Sequence, residues 1–407
     1  MTNEQKNIPE LRFPEFDGEW KLENLGDLAD IVRGASPRPI KDSKWFDDNS
    51  DIGWLRISDV TQQNGKIKFL QEHLSTEGQK KTRVLYEPHL LLSIAASVGK
   101  PVINYVKTGV HDGFLIFMKP KFDLYFMFNW LENFQLKWNK YGQPGSQVNL
   151  NSDLVKSQNI YIPYSYEEEK KMGIFFSKLD QQIELEQKKL ELLEQQKRGY
   201  IQKVFSQELR FKDKKDNYYS DWKNYQLKDL TYYKNGKGYE KVATTNGKYN
   251  IINLNSIGVK GELKDSGKYT DFEDDTLLKN DLIMILSDVA KGNLIGMTAI
   301  IDENNNYLLN QRIALLRIKN FLITNAYFLY LYINFNRKYF INMSTGMSQL
   351  NINKKTVEDF QVNLPSIEEQ NKIAILFKNY EDTIKKQASK VKLLKQRKQG
   401  LLQKMFV

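Results

Sequence analysis

Apolar residues recur at alternating steps of four and three along two stretches of the chain. In the first, Met172, Phe176, Leu179, Ile183, Leu190, Leu193, Tyr200 and Val204 mark the seam, with Glu186 and Lys197 at the skipped positions. In the second, Ile373, Phe377, Tyr380, Ile384, Val391, Leu394, Leu401 and Met405 do the same, with Gln387 and Lys398 at the skipped positions. Such a heptad pattern predicts two long helices of coiled-coil character. No proline interrupts either stretch. Each follows a proline-bearing strand end, Ile160-Tyr161-Ile162-Pro163 and Val362-Asn363-Leu364-Pro365, and then acidic residues that suit a helix N-terminus. At about 34 residues each helix would be roughly 50 Å long. Glu184, Glu186, Glu191 and Glu194 would face the Lys385 to Lys395 cluster if the helices pair antiparallel. The other reading is two separate amphipathic helices, each packed on its own domain.

The segments before each helix alternate apolar runs with Gly- and Asn-rich turns, which predicts mixed α/β structure. Strands are expected at Ile52 to Val60, Leu90 to Ile94, Val102 to Val106, Phe114 to Met118, Tyr249 to Leu254, Leu282 to Leu286, Ile295 to Ile301 and Ile313 to Ile318. One aromatic-rich helix is expected in each segment, Leu124 to Asn139 and Ala326 to Phe340.

The pattern is a duplication. Ser146-Gln147-Val148-Asn149-Leu150-Asn151 returns at a shift of 202 as Ser348-Gln349-Leu350-Asn351-Ile352-Asn353, and Trp20-Lys21 returns at the same shift as Trp222-Lys223. Gly199, Gln202, Lys203 and Phe205 match Gly400, Gln403, Lys404 and Phe406 at a shift of 201. A unit this long exceeds solenoid periods of about 20 to 50 residues and reads as two tandem domains of similar fold. Glu10-Leu11-Arg12-Phe13 also matches Glu208-Leu209-Arg210-Phe211, so the order is circular: tail, domain, helix, tail, domain, helix. The termini are therefore expected close together in a pseudo-two-fold body. The expected divisions are a tail at 1–19 packing near the C-terminus, a domain at 20–163, a long helix at 164–211, a linker at 212–221, a domain at 222–365 and a long helix at 366–407.

Composition narrows the function. The 407 residues are 41% hydrophobic, enough for real cores, and hold no cysteine, so neither disulfides nor thiol chemistry is available. That suits a reducing, cytoplasmic setting. No apolar run reaches the roughly 18 residues of a membrane span, and the polar start has no signal-peptide core. The net charge of +10 favours a polyanionic partner. Enzyme signatures are missing: there is no phosphate loop, no Gly-x-Gly-x-x-Gly and no nucleophile elbow. His73, His89 and His111 lack metal-ligand spacing. No catalytic residue and no metal ligand is assigned.

Leu364-Pro365-Ser366-Ile367-Glu368-Glu369-Gln370-Asn371-Lys372-Ile373-Ala374, the heptads, and Lys398-Gln399-Gly400-Leu401-Leu402-Gln403-Lys404-Met405-Phe406 resemble the type I restriction-modification specificity subunits. The opening Pro9-Glu10-Leu11-Arg12-Phe13-Pro14-Glu15-Phe16 is also similar to theirs. The first copy is more divergent, with Glu169 where the second has Gln370 and Tyr164-Ser165-Tyr166 where the family favours proline and leucine. The resemblance implies two globular α/β target recognition domains separated by two long antiparallel helices that act as a spacer. Each domain would read one half of a split, asymmetric site on double-stranded DNA. Two methyltransferase subunits would dock around the helices, and restriction-translocase subunits would complete the complex. S-adenosylmethionine, ATP and Mg2+ would then be held by those partners, with no cofactor on this chain. Two other readings compete: a freestanding two-headed DNA-binding protein, and a coiled-coil scaffold that binds only protein.

Domains that read different half-sites must differ where they touch base edges. Divergent polar positions near matched strands are thus the base-reading candidates: Arg56, Ser58, Asp59, Ser97, Lys100 and His111 in the first copy, and Asn253, Asn255, Ser287, Lys291, Asn293, Gln311 and Arg312 in the second. Arg suits guanine, Asn and Gln suit adenine, and Asp suits the cytosine amino group. Lys41, Lys44, Lys237 and Lys241 are expected to contact phosphate, and the repeated Gln147 and Gln349 to serve phosphate binding or scaffold. Phe175, Leu192, Leu376, Leu393 and Leu402, off the helix seam, are candidates for partner docking.

Overall fold

The computed structural model describes residues 7–94, 98–141, 150–289, 294–346 and 349–407. The chain forms two compact units, one of residues 1–188 with 388–407 and one of residues 189–387. Each combines a mixed α/β domain with one part of each long helix, so the duplicated architecture read from the sequence is present.

The larger sheets of the two units share one order over four strands, and each unit adds a smaller sheet with one parallel pair. In the first, a mainly antiparallel sheet runs Asp30–Arg33, Phe114–Met118, Leu90–Ser93, Pro101–Asn104 and Lys66–Ile67, and a second sheet pairs Gly53–Leu55 in parallel with Thr108–Val110 and then Arg83–Leu85. In the second, Thr231–Asn235, Ile313–Ile318, Leu282–Ile285 and Thr298–Ile300 form the larger sheet, and Tyr249–Ile252 pairs in parallel with Tyr307–Leu309. The run predicted as one strand from Ile52 to Val60 divides into the strand Gly53–Leu55 and the helix Ile57–Gln62. Asp59 forces the division: its carboxylate accepts the Arg56 backbone N–H at 2.8 Å and starts a helix. The aromatic helices are shorter than expected, Leu124–Phe134 and Ala326–Phe335. Ile295 to Ile301 keeps only Thr298–Ile300 as strand, because Gly296 turns the chain at a φ of 70°.

The long helices run Tyr166–Phe205 and Ile367–Met405, 40 and 39 residues, longer than the pattern suggested. Within the first unit their parts pair antiparallel: Leu179 and Ile183 pack on Leu394, Lys390 meets Glu186, and Lys395 reaches Gln187 at 2.9 Å. Within the second, Tyr200 packs on Tyr380 and Lys197 pairs with Glu381 at 2.6 Å. The polar seam positions are thus satisfied. Buried Lys398 donates to Asp180 at 2.8 Å and Glu132 at 2.5 Å. Burial disfavours its ammonium, but the two carboxylates more than offset this and raise its pKa. Glu184 and Glu194, expected to face the other helix, instead pair with Lys68 and Lys260 of the domains at 3.1 and 2.8 Å.

The helix ends close the domain cores. Phe406 lies 5.2 Å from Phe126 and 6.0 Å from Phe176, with Trp20 at 6.5 Å. Phe205 sits likewise in the second unit, 5.7 Å from Phe328 and 6.4 Å from Trp222. The repeated Glu-Leu-Arg-Phe segments seal these ends. Leu11 N–H donates to Lys404 O at 2.8 Å, and Leu209 N–H to Lys203 O at 2.9 Å, each satisfying a carbonyl that the helix end leaves open. Arg12 forks onto Glu168, both contacts at 2.7 Å, and Arg210 forks onto Glu369, both at 2.9 Å. Both glutamates are almost fully buried. Removing one partner strands a buried charge, so Arg210→Ala should destabilise the second unit by about 3–5 kcal/mol, measured by chemical denaturation.

The copies diverge just beside this clasp. Gln370 accepts from Asn325 N–H at 2.9 Å and donates to Ile323 O and Pro365 O, each at 2.9 Å. In the first copy the pair is acidic: Glu169 accepts from Asp123 N–H at 2.8 Å. Burial, aided by the Asp123 carboxylate and opposed by the Asp123 N–H bond, pushes Glu169 up to about 7 from 4.5. Between those values the folded state binds more protons than the unfolded, so stability falls as pH rises through that window and stays lower above it. Glu169→Gln should therefore raise the thermal midpoint at pH 8 and leave it nearly unchanged at pH 4.

Candidate nucleic-acid interface

In each domain one end of the larger sheet collects the sequence-selected polar residues. In the first, Arg33 ends its strand opposite Leu115, Ser93 faces Phe114, and Ile94 N–H donates to Gly113 O at 2.9 Å. This places segment 33–38, Ile94, residues 98–100 and the turn 111–113 together, with Lys100 half-buried at their edge. Arg56 joins them because Leu55 pairs with Val110. In the second, Leu286 N–H donates to Arg312 O at 2.8 Å and Asn310 N–H to Ile252 O at 3.0 Å, which gathers segments 235–240, 253–256 and 310–312 in the same way. Ser97, Gln147, Lys291 and Asn293 lie outside the described residues.

A close backbone approach builds both ends. A Cβ on Gly34 would stand 2.2 Å from His111 O, and one on Gly236 1.9 Å from Asn310 O. Gly34 N–H donates to Phe114 O at 2.9 Å, and Gly236 N–H to Ile313 O at 3.0 Å. Only glycine permits the strand to lie this near the turn.

The side chains at the two ends differ. In the first domain Asp112 organises a basic group: Ser36 donates to it at 2.8 Å, Arg38 at 2.7 Å, and Arg33 donates to its backbone carbonyl at 2.6 Å. Despite partial burial, Ser36, His111 and the arginines hold its pKa below the ordinary carboxylate range. Beside it opens a cavity of about 780 Å³ whose lining includes Lys41, Arg56, Glu72 and His111. Ser58 is exposed, whereas Asp59 is buried and spent on the helix start. Lys44 pairs with Asp42 at 2.9 Å and lies over the Trp45 ring.

In the second domain the cations are largely matched. Lys237 donates to Asp274 at 2.6 and 2.8 Å, and this bond pulls the Asp274 carboxyl down to about 2. Gln311 donates to Glu240 at 2.8 Å. Arg312 is exposed and holds a φ of 72°, a strained setting that fixes where its side chain leaves the turn. Asn253 accepts from Asn255 N–H at 2.8 Å, and Asn255 itself is exposed, as is Lys241. Ser287 is buried in a short ladder with Gln349–Asn351, and Gln349 donates to its hydroxyl, so this pair serves the scaffold.

One family model matches both copies. The family described as "Type I restriction modification DNA specificity domain" matches residues 17–195 and again 219–395. The chain belongs to the type I restriction-modification specificity family. A putative type I restriction enzyme specificity subunit from Methanocaldococcus jannaschii is 26% identical over 194 residues, which is 46% of this chain and 45% of that protein's length. A type I restriction-modification S subunit from M. genitalium shares the fold with a TM-score of 0.62 at 14% identity, over 98% of this chain and 99% of that one. A chain from a structure of complex assembly and conformational transition in a type I system has a TM-score of 0.56 at 15% identity, over 96% and 98%.

In this type I specificity chain the helix candidates separate by exposure. Leu192 and Leu393 are exposed, at 49% and 66%. Phe175 is half-covered by Phe13, 5.8 Å away, and Leu376 is half-buried on the second core. Leu402 departs from that expectation: only 5% exposed, it belongs to the first core, because its side of the last helical turn packs on the domain while Gln403 and Lys404 hold the exposed side. Among the described residues no His, Asp or Glu cluster could hold a metal, and no helix is long and apolar enough to cross a membrane. Arg33, Ser36, Arg38 and Glu72 were not singled out from the sequence. The signal for the first three was available in the Arg33-Gly34-Ala35-Ser36-Pro37-Arg38 run, whose Gly34 aligns with Gly236. Gly236→Ala should destabilise the second unit by about 1–3 kcal/mol and weaken its DNA contact, read by thermal melting and a DNA-binding titration.

Proposed function

We propose that the chain is the DNA-reading subunit of a type I restriction-modification complex, each domain taking one half of a bipartite asymmetric target. The observation that supports this most directly is the repeated sheet end: one backbone scaffold carries Arg56, His111 and Asp112 in one copy and Asn253, Gln311 and Arg312 in the other. A shared frame with different polar side chains is what two half-sites of different sequence require. On this reading the chain performs no chemistry itself. Two methyltransferase subunits carry S-adenosylmethionine and methylate adenine, restriction subunits use ATP and Mg2+, and the assembly works in the cytoplasm. Exposed Leu192 and Leu393 support docking of partner helices on the long helices. The paired helices set the distance between half-sites.

Co-expression with its methyltransferase subunit in a methylation-free host, followed by mapping of methylated adenines, tests the proposal. A split motif is expected, and the absence of any split motif refutes it. One heptad inserted into both helices at their paired positions adds about 10 Å, which corresponds to roughly three base pairs of B-DNA. The spacer should lengthen by that amount or activity should vanish, with both half-sites unchanged. Altered half-sites would show that the helices take part in base reading.

A further inference from the structure

The cavity in the first domain brings Arg56 and His111 to one opening, with Lys41 also in its lining. Arg56 immediately precedes the helix Ile57–Gln62, so its backbone is anchored by the Asp59 carboxylate while its side chain remains half-exposed. Its guanidinium is paired with Glu72, whose carboxylate also lines the cavity. That pair occupies part of the guanidinium and leaves further N–H groups of the planar fork to face outward.

His111 lines the same cavity from the facing turn. Its ring is held edge-on against Trp54 at 5.6 Å, and Gly113 N–H donates to its Nδ1 at 2.8 Å. Asp112 Oδ1, which accepts from Ser36, lies 3.2 Å from the same nitrogen, farther than the Gly113 N–H donor. Burial lowers the His111 pKa, only partly opposed by Asp112, and Arg38, Arg33 and Arg56 lower it further. The imidazole is therefore neutral at pH 7, with Nδ1 accepting and the proton on Nε2. A neutral ring in this setting presents one directional donor rather than a charge.

Two donors at one opening select an edge with two acceptors. In the major groove only guanine offers that edge, through N7 and O6; adenine pairs an acceptor with a donor, thymine an acceptor with a methyl, and cytosine presents a donor. The equivalent position in the second domain is Asn253, whose side-chain oxygen is committed to Asn255 N–H, so the arrangement belongs to the first domain.

We propose that Arg56 and His111 together read a guanine in the half-site taken by the first domain, with Glu72 positioning the guanidinium. This rests on the reading of the chain as a DNA-reading subunit.

The test uses the full chain in complex with its methyltransferase subunit and genome-wide mapping of methylated adenines. The wild type should methylate a split motif with a guanine in one half-site. Arg56→Gln and Arg56→Lys should both relax that one position, with discrimination against other bases falling roughly 10- to 100-fold, and the other half-site should stay intact. His111→Phe, which keeps the ring but removes the donor, should relax the same position. Arg56 is exposed, so its variants carry the test even where His111→Phe fails to fold. If Arg56→Lys keeps the full motif, Arg56 contacts phosphate as a simple charge and the assignment is overturned. It is overturned equally if neither half-site contains guanine, or if Arg56→Gln leaves the motif unchanged. A wild type that methylates no split motif overturns the proposed function and this assignment with it.

Discussion

Each domain core is completed by the end of the long helix from the other half of the chain. Phe406 fills the first core among Trp20, Phe126 and Phe176, and Phe205 fills the second among Trp222 and Phe328. Burial of one such ring contributes roughly 2–3 kcal/mol, and the helix end brings Leu402 and Met405 with it into the first core. The cost of ending a helix inside a core is met by the Glu-Leu-Arg-Phe segment. Its leucine N–H takes a terminal carbonyl and its arginine neutralises a buried glutamate at the start of the other helix. The first unit is therefore discontinuous in sequence, built from residues 1–188 and 388–407.

This dependence separates positions that build the frame from positions free to vary. Gly34 and Gly236 lie against backbone carbonyls, the Arg–Glu pairs bury charge, and Trp and Phe rings fill the cores, so each has the same task in both copies. The sheet ends carry no such requirement. In the first domain Arg38 meets the carboxylate of Asp112 and Arg33 its backbone carbonyl, beside an open cavity; in the second, Lys237 and Gln311 are tied to Asp274 and Glu240. A common scaffold thus presents two electrostatic surfaces, which suits two unlike targets.

Several elements were legible from pattern alone. Phe114–Met118 and Ile313–Ile318 occur with the predicted bounds, because buried strands read as short, nearly continuous apolar runs, broken in the second only by Arg317. The heptads located both long helices, and the polar seam positions found partners as register devices do. Other features were not legible locally. Ile52 to Val60 is apolar enough for one strand, and only the capping bond of Asp59 divides it. Glu184 and Glu194 match the lysines of the other helix in sequence, yet Lys68 and Lys260 of the folded domains lie nearer. Leu402 fits an outer helix face by spacing, but the domain covers its side of that turn.

The duplication, its circular order, the mixed α/β class, the helix positions and the family follow from residue order, because periodicity and repeated motifs are written in one dimension. Which candidate side chains remain available to a ligand was decided only by the tertiary structure. Asp59, Asn253 and Ser287 are consumed by caps and ladders, while Arg56 and His111, far apart in sequence, meet at one cavity. That difference arises because a polar group's freedom depends on the backbone groups and charges brought against it by folding, and chain spacing carries no record of those neighbours.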